Sequence, residues 1–224
     1  RATACPGWTV LGLATHLVGD DLSLLAGHRD GHLGTPSPVD PAVDEVGFVR
    51  WLDALQVEWV TAARRLSPRL VVDLLAWLDG QVADLVAAED PRAVEASVSW
   101  AATTRVPRWL DHARELTERW IHRQQVLQAL DRPADLRPDL AVPVLDGLRW
   151  AWPFRLGRHP RPAGTTVTVA VTGPEVALHW TLVADGPGWR FLAIDPPPAA
   201  GTAADTAAAR LVVTTDQAWR LLTN

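Results

Sequence analysis

The chain has 224 residues, a formal net charge of −5 and a pI near 5.8, enough for one large domain or two small ones around a substantial core. Its 21 basic residues are scattered, so there is no electrostatic footprint for a phosphate backbone and nucleic acid is not an expected partner. No charged leader opens the chain and no apolar run approaches the roughly 18 residues of a bilayer span, so a cytoplasmic protein with no membrane partner is expected.

Thr9 stands before an apolar-periodic stretch and suits an N-cap, predicting a helix over 9–27 with Val10, Leu13, Ala14, Leu17 and Val18 on one side. Residues 28–41 hold Gly31, Gly34, Pro36, Pro38 and Pro41 and read as a loop. Phe48, Leu52, Leu55, Val57, Trp59 and Val60 fit a second helix ending near Leu66. Ser67-Pro68 is a cap followed by proline at the first helical position, opening a third helix to about Ala88, which Asp90-Pro91 closes. A mixed stretch with Ser97, Ser99, Thr103 and Thr104 leads to Pro107, which begins a long helix to about Leu130. Its expected apolar side is Trp109, Leu110, Ala113, Leu116, Trp120 and Leu127.

From 132 to 164 the chain is rich in Pro, Arg and Gly, with one short helix expected over 138–152, and this marks a domain boundary. Beyond it the period changes to two. Residues 165–172 alternate Thr with Val and Ala, 176–183 and 189–194 follow as a meander, an Ala-rich connector spans 199–209, and 210–214 adds a strand before a helix over 216–222. The expected fold class is α+β: a helix bundle over 1–135, then a small α+β domain over 140–224.

The chemistry concentrates in Glu118-Arg119-Trp120-Ile121-His122. Residues four apart on a helix differ by about 40° in azimuth and stand one turn apart, so both side chains can reach one ion. His16, on another predicted helix, supplies a third donor, and three ligands leave room for water or substrate, as in catalytic zinc sites. An isolated Glu-x-x-x-His is more often part of a solvated face, and His16 taken alone reads first as a hydrogen-bonded core or boundary histidine. His112 is a competing ligand, though it lies about 80° around the helix from His122. The single cysteine, Cys5, excludes an internal disulfide and any Cys-x-x-Cys motif, so a metal here is held by His and carboxylates. Cys5 precedes a Pro-Gly turn with no base identifiable in the sequence, which makes it structural rather than nucleophilic.

Cys5-Pro6-Gly7-Trp8-Thr9-Val10, Leu13-Ala14-Thr15-His16-Leu17 and Glu115-Leu116-Thr117-Glu118-Arg119-Trp120-Ile121-His122 together closely resemble the mycothiol-dependent maleylpyruvate isomerase family of the DinB-like metal-binding superfamily. The resemblance implies a DinB-like up-and-down bundle with a sterol-carrier-like second domain. It implies His16, Glu118 and His122 as ligands of a divalent metal, usually zinc, and mycothiol as the thiol. In the family reaction a thiolate adds to an activated cis double bond, rotation follows about the resulting single bond, and elimination returns the trans product with the thiol. Elsewhere in the superfamily the site supports thiol S-transfer. The chain has no Lys, Met or Tyr and two Ile, a GC-rich coding bias that suits mycothiol's high-GC Gram-positive setting. The chain departs from relatives at Gly12 and Gln125, where an acid and an aspartate are usual. Relatives also carry a helix before Pro-Gly-Trp, so a native N-terminus upstream of Arg1 is expected.

The leading expectation is therefore a metal-dependent isomerase or S-transferase acting on a small-molecule substrate with a low-molecular-weight thiol. Arg190 and Arg220 are candidates to meet an acidic substrate or the thiol cofactor. The rivals are a non-catalytic carrier of small apolar ligands and a hydrolase using metal-bound water on the same ligands. Apolar-probe binding without metal dependence marks the first, and thiol-independent turnover the second.

Overall fold

Apolar residues three and four apart bury one stripe of each helix in the first part of the chain, and alternation buries one face of a sheet in the second. The computed structural model describes residues 1–32, 34–40, 43–96, 98–102, 104–192 and 207–223. The expectations for Ser97, Thr103, the end of the 189–194 strand and most of the 199–209 connector fall outside those residues. Packing divides the chain into two compact units, residues 1–99 with 103–134 and residues 100–102 with 135–224.

The first unit is helical. Helix α1, Val10–Leu24, is capped by the Thr9 hydroxyl, which accepts from the Gly12 amide, so the glycine in place of an acid leaves the cap intact. It runs on into one π-helical turn, Leu25–Arg29. Helix α2, Glu45–Ala62, is capped by Asp44 and ends in a single 3-10 turn, Ala63–Arg65. Ser67 caps α3, Pro68–Ala88, with Pro68 at its start as expected. The core between α1 and α3 is Val18, Leu24, Leu25, Val71, Leu78 and Val82, each such side chain contributing about 1.5–3 kcal/mol by leaving water. A short antiparallel pair, β1 (Val94–Ala96) and β2 (Val106–Pro107), precedes α4, Arg108–Ala129.

The run Val10–Arg29 is long and apolar enough to cross a membrane by length and composition, which corrects the expectation that no run reaches that length. Leu13, Val18 and Leu25 of that run are buried inside the helical unit, and so are His16 and Asp21. These are the properties of a bundle's central helix.

Gly19 sets how closely α2 approaches α1. A Cβ there would collide with the Trp59 indole, whose Nε1 donates to the Thr15 carbonyl at 2.7 Å. Gly19→Ala is expected to destabilise the protein by about 1–3 kcal/mol through overpacking, read as a lower urea midpoint. An unchanged midpoint would mean that α2 is free to move away from α1.

The second unit is α+β. Two short helices, α5 (Pro138–Leu148) and α6 (Ala151–Leu156), stand where one was expected. A four-stranded sheet follows, β3 (Thr166–Thr172), β4 (Ala177–Asp185), β5 (Gly188–Phe191) and β6 (Ala209–Thr214), in the order β5-β4-β3-β6. The meander is antiparallel, and Gly186 at φ +59° lets β4 turn tightly into β5. β6 instead pairs parallel to β3, and α7, Thr215–Thr223, closes the chain.

Candidate metal centre

Helix α4 carries Glu118 and His122 one turn apart, and α1 brings His16 across from them. One donor atom from each of the three lies within 4.8 Å of the others. His16 and His122 stand with their rings perpendicular and centroids 4.9 Å apart, and Trp8 packs edge-on against His16, also at 4.9 Å.

Each imidazole is held by a glutamine on its Nδ1 side. His16 Nδ1 lies 2.9 Å from Gln56 Oε1 and His122 Nδ1 lies 2.7 Å from Gln125 Oε1. Gln56 Nε2 donates to Asp20 Oδ1 at 3.0 Å, which fixes the carboxamide so that its oxygen accepts from His16 Nδ1–H. The ring's other nitrogen, Nε2, lies 3.1 Å from Asp20 Oδ2, and an outer hydrogen bond at Nδ1 is the arrangement that orients a histidine to ligate through Nε2. His122 Nε2 faces Glu118 Oε2 at 3.4 Å. Gln125 holds His122 without adding a charge, and it also accepts from Cys5 Sγ at 3.2 Å.

Burial and mutual charge set the protonation states. Burial lowers the His16 pKa, aided by the His122 charge and opposed by the Gln56 hydrogen bond. Burial also disfavours a charged His122, but hydrogen bonds with Cys5 and Glu118 and the Glu118 charge outweigh it and hold its pKa up at about 10. Burial would raise Glu118, yet its contact with His122 keeps it below the usual carboxylate range. Asp20 is pushed up to about 7, by burial first and then by the Glu118 and Glu115 charges. Two imidazole nitrogens and a carboxylate crowded together in a buried site form a donor set that fits a divalent cation.

The environment of α4 differs from expectation. Trp109, expected on the apolar side, is 38% exposed, whereas Asp111, Glu115 and His122 are buried, so the acidic face is not a solvated one. Val57 of α2, placed on its apolar side, is likewise exposed. Arg114 and Arg119 make the buried acids tolerable: Arg114 pairs with Asp111 at 3.0 Å and with Glu115, and Arg119 with the fully buried Asp21. His112 is not near the triad's ligand set but binds Glu89 Oε2 at 2.6 Å, in a separate cluster with His28 and Arg108.

Cys5, for which the sequence offered no partner, sits beside Gln125 and within hydrogen-bonding reach of His122. Arg190 and Arg220 lie in the second unit, paired with Asp185 at 2.8 Å and Asp216 at 2.9 Å. Sequence reasoning missed Asp20 and Gln56. Asp20 is four residues after His16, a spacing that carries the same signal as Glu118 and His122, while Gln56 on α2 has no local signal at all.

Two cavities border the site. His122 lines one of about 300 Å³ with Leu13, Leu17, Leu75 and Val126, and Gln56 lines one of about 520 Å³ with Leu22, Trp51, Leu55 and Trp59. Residues 1–127 match the family model described as Mycothiol maleylpyruvate isomerase N-terminal domain. No curated protein and no solved structure matches the chain.

Proposed function

Because the chain belongs to the mycothiol maleylpyruvate isomerase N-terminal domain family, we propose that it is a divalent-metal-dependent enzyme using mycothiol, a cis-trans isomerase or a thiol S-transferase. The observation that carries this reading is the convergence of His16, Glu118 and His122 within 4.8 Å. In this reading these three residues hold the metal, with zinc the first candidate from a set of nitrogen and carboxylate donors. When bound, the ion supplies a Lewis acid that lowers a thiol's pKa toward neutrality.

The chain's own residues do the rest. Gln56 and Gln125 fix the two rings through their Nδ1 atoms, and Trp8 packs edge-on against His16 and limits its rotation. The two adjoining cavities are mainly apolar and suit the carbon skeletons of substrate and thiol. The first unit is assigned as the DinB-like metal-binding bundle and the second as a sterol-carrier-like domain. Arg190 and Arg220 are assigned to acidic groups of substrate or thiol, each exchanging one carboxylate partner for another.

The test is elemental analysis of untagged protein purified without chelator, compared with His122→Ala. Near-stoichiometric divalent metal in the wild type, lost in the variant, is the expected result, followed by mycothiol-dependent turnover with the wild type alone. Neither protein holding metal after zinc is added back would sink the reading and favour a carrier of apolar ligands. Turnover without any thiol would favour the hydrolase.

A further inference from the structure

The cavity of about 520 Å³ lies between α1 and α2, with Gly19 and Leu22 from one helix and Trp51, Leu55 and Trp59 from the other in its wall. Among the described residues that line it there is no Arg, Asp or Glu. The cavity beside His122 differs, because Arg119 and Arg123 line it. An anion entering the first cavity would lose water and meet no counter-charge, whereas an uncharged apolar molecule meets two indoles. The wall is also fixed in advance. Trp59 Nε1 donates to the Thr15 carbonyl at 2.7 Å, and its ring fills the space that a Cβ at Gly19 would need. Phe48 packs against Trp51 with ring centroids 5.7 Å apart. A preformed wall lowers the ordering cost of binding, and the volume suits a ligand of about two or three rings.

One polar side chain of this wall also belongs to the surroundings of the metal centre. Gln56 lines the cavity, accepts from His16 Nδ1–H at 2.9 Å and donates to Asp20 Oδ1 at 3.0 Å. It is half-buried, so water in the cavity competes for the same amide. Resting on the metal reading above, we propose that the cavity is a site for an uncharged, ring-containing apolar molecule and that Gln56, as a positioning residue, couples its occupancy to the metal. An apolar occupant displaces the competing water, and a hydrogen bond in drier surroundings is stronger, so Gln56 holds the His16 ring more firmly. In the other direction, His16 donates more strongly from Nδ1 once it ligates through Nε2, which fixes the Gln56 amide as part of the cavity wall. The two binding events therefore tighten each other by the same factor.

The experiment titrates the full chain, chelator-stripped and zinc-loaded, with phenylnaphthylamine, an uncharged probe whose fluorescence rises in apolar surroundings, and with its anionic counterpart anilinonaphthalene sulfonate. Zinc affinity is measured by chelator competition with and without the neutral probe. The variants are Gln56→Leu, which keeps the wall apolar but breaks the link, and Leu22→Arg, which puts a charge at a position already 39% exposed. Far-UV circular dichroism checks that both fold. In the wild type the neutral probe is expected to bind more tightly than the anionic one, and zinc and the neutral probe to tighten each other about fivefold. Leu22→Arg is expected to weaken the neutral probe about tenfold and to leave zinc affinity without probe unchanged. Gln56→Leu is expected to bind the probe but lose the coupling, its zinc affinity falling about 10–100-fold. A neutral probe that binds the wild type no more tightly than it binds Leu22→Arg, or no more tightly than the anionic probe binds, overturns the site and leaves the metal reading standing. Equal probe affinity with and without zinc in a wild type that binds zinc, or coupling that survives in Gln56→Leu, overturns the role of Gln56. A wild type that binds no zinc overturns the coupling and the metal reading together.

Discussion

Replacing Arg119 with leucine is expected to lower folding stability by about 3–5 kcal/mol, the range for breaking a buried ion pair. Asp21 is fully buried, and its only described cation partner is the Arg119 guanidinium on α4. Its Oδ2 already lacks a hydrogen-bond partner, and burial raises its pKa against the opposing effect of Arg119. Removing the guanidinium leaves a carboxylate between α1 and α4 with no compensation. The double variant Asp21→Leu with Arg119→Leu should recover most of the loss, because two packed leucines need no partner. Urea denaturation of the three proteins checks it. A single variant within about 1 kcal/mol of wild type, or a double variant no better than the single, would show that water reaches Asp21 and takes over the pairing.

The second large effect is the dependence of metal stabilisation on pH. Without metal, His122 titrates at about 10 rather than 6.5, so its contribution to stability is fully present below the unfolded pKa and is lost as pH rises through 10. Between pH 7 and 9 the metal-free fold therefore binds more protons than the unfolded chain, and its stability falls with increasing pH. An ion taking His122 Nε2 must displace that proton, so metal affinity should rise about tenfold per pH unit over the same window. The Tm difference between metal-loaded and chelator-treated protein should thus widen from pH 7 to pH 9. A constant difference would mean that His122 is neutral in the metal-free protein, or is not a ligand.

Much of the candidate site was legible before any tertiary structure. The four-residue step from Glu118 to His122 is a property of helical geometry, and motifs in two separated segments pointed to His16. What the sequence could not supply was the direction in which the acidic face of α4 points. Asp111, Glu115 and Glu118 have the composition of a solvated face. They are instead turned inward or half-buried because Arg114 and Arg119 on the same helix travel with them and offset their charge. The apolar assignment of Trp109 failed for the same reason, since a helix hydrophobic on one side and arginine-paired on the other can bury both. The pair β1 and β2, three and two residues long with a register shift between them, is too short to carry a period-two signal.

By itself, then, the sequence determined the local elements: caps at Thr9 and Ser67, the starts and periods of the helices, the alternation of β3, and the spacing that sets two donors on one side of α4. These depend on residues within a few positions of one another, where backbone geometry is the same in any fold. Tertiary structure alone decided that Gln56 reaches His16 and Asp20 across 40 and 36 residues, that Cys5 meets Gln125 across 120, and that β6 returns parallel to β3. Those contacts are selected by the packing of whole helices and strands against one another, and a hydrogen bond between distant side chains leaves no periodic trace in the chain that makes it.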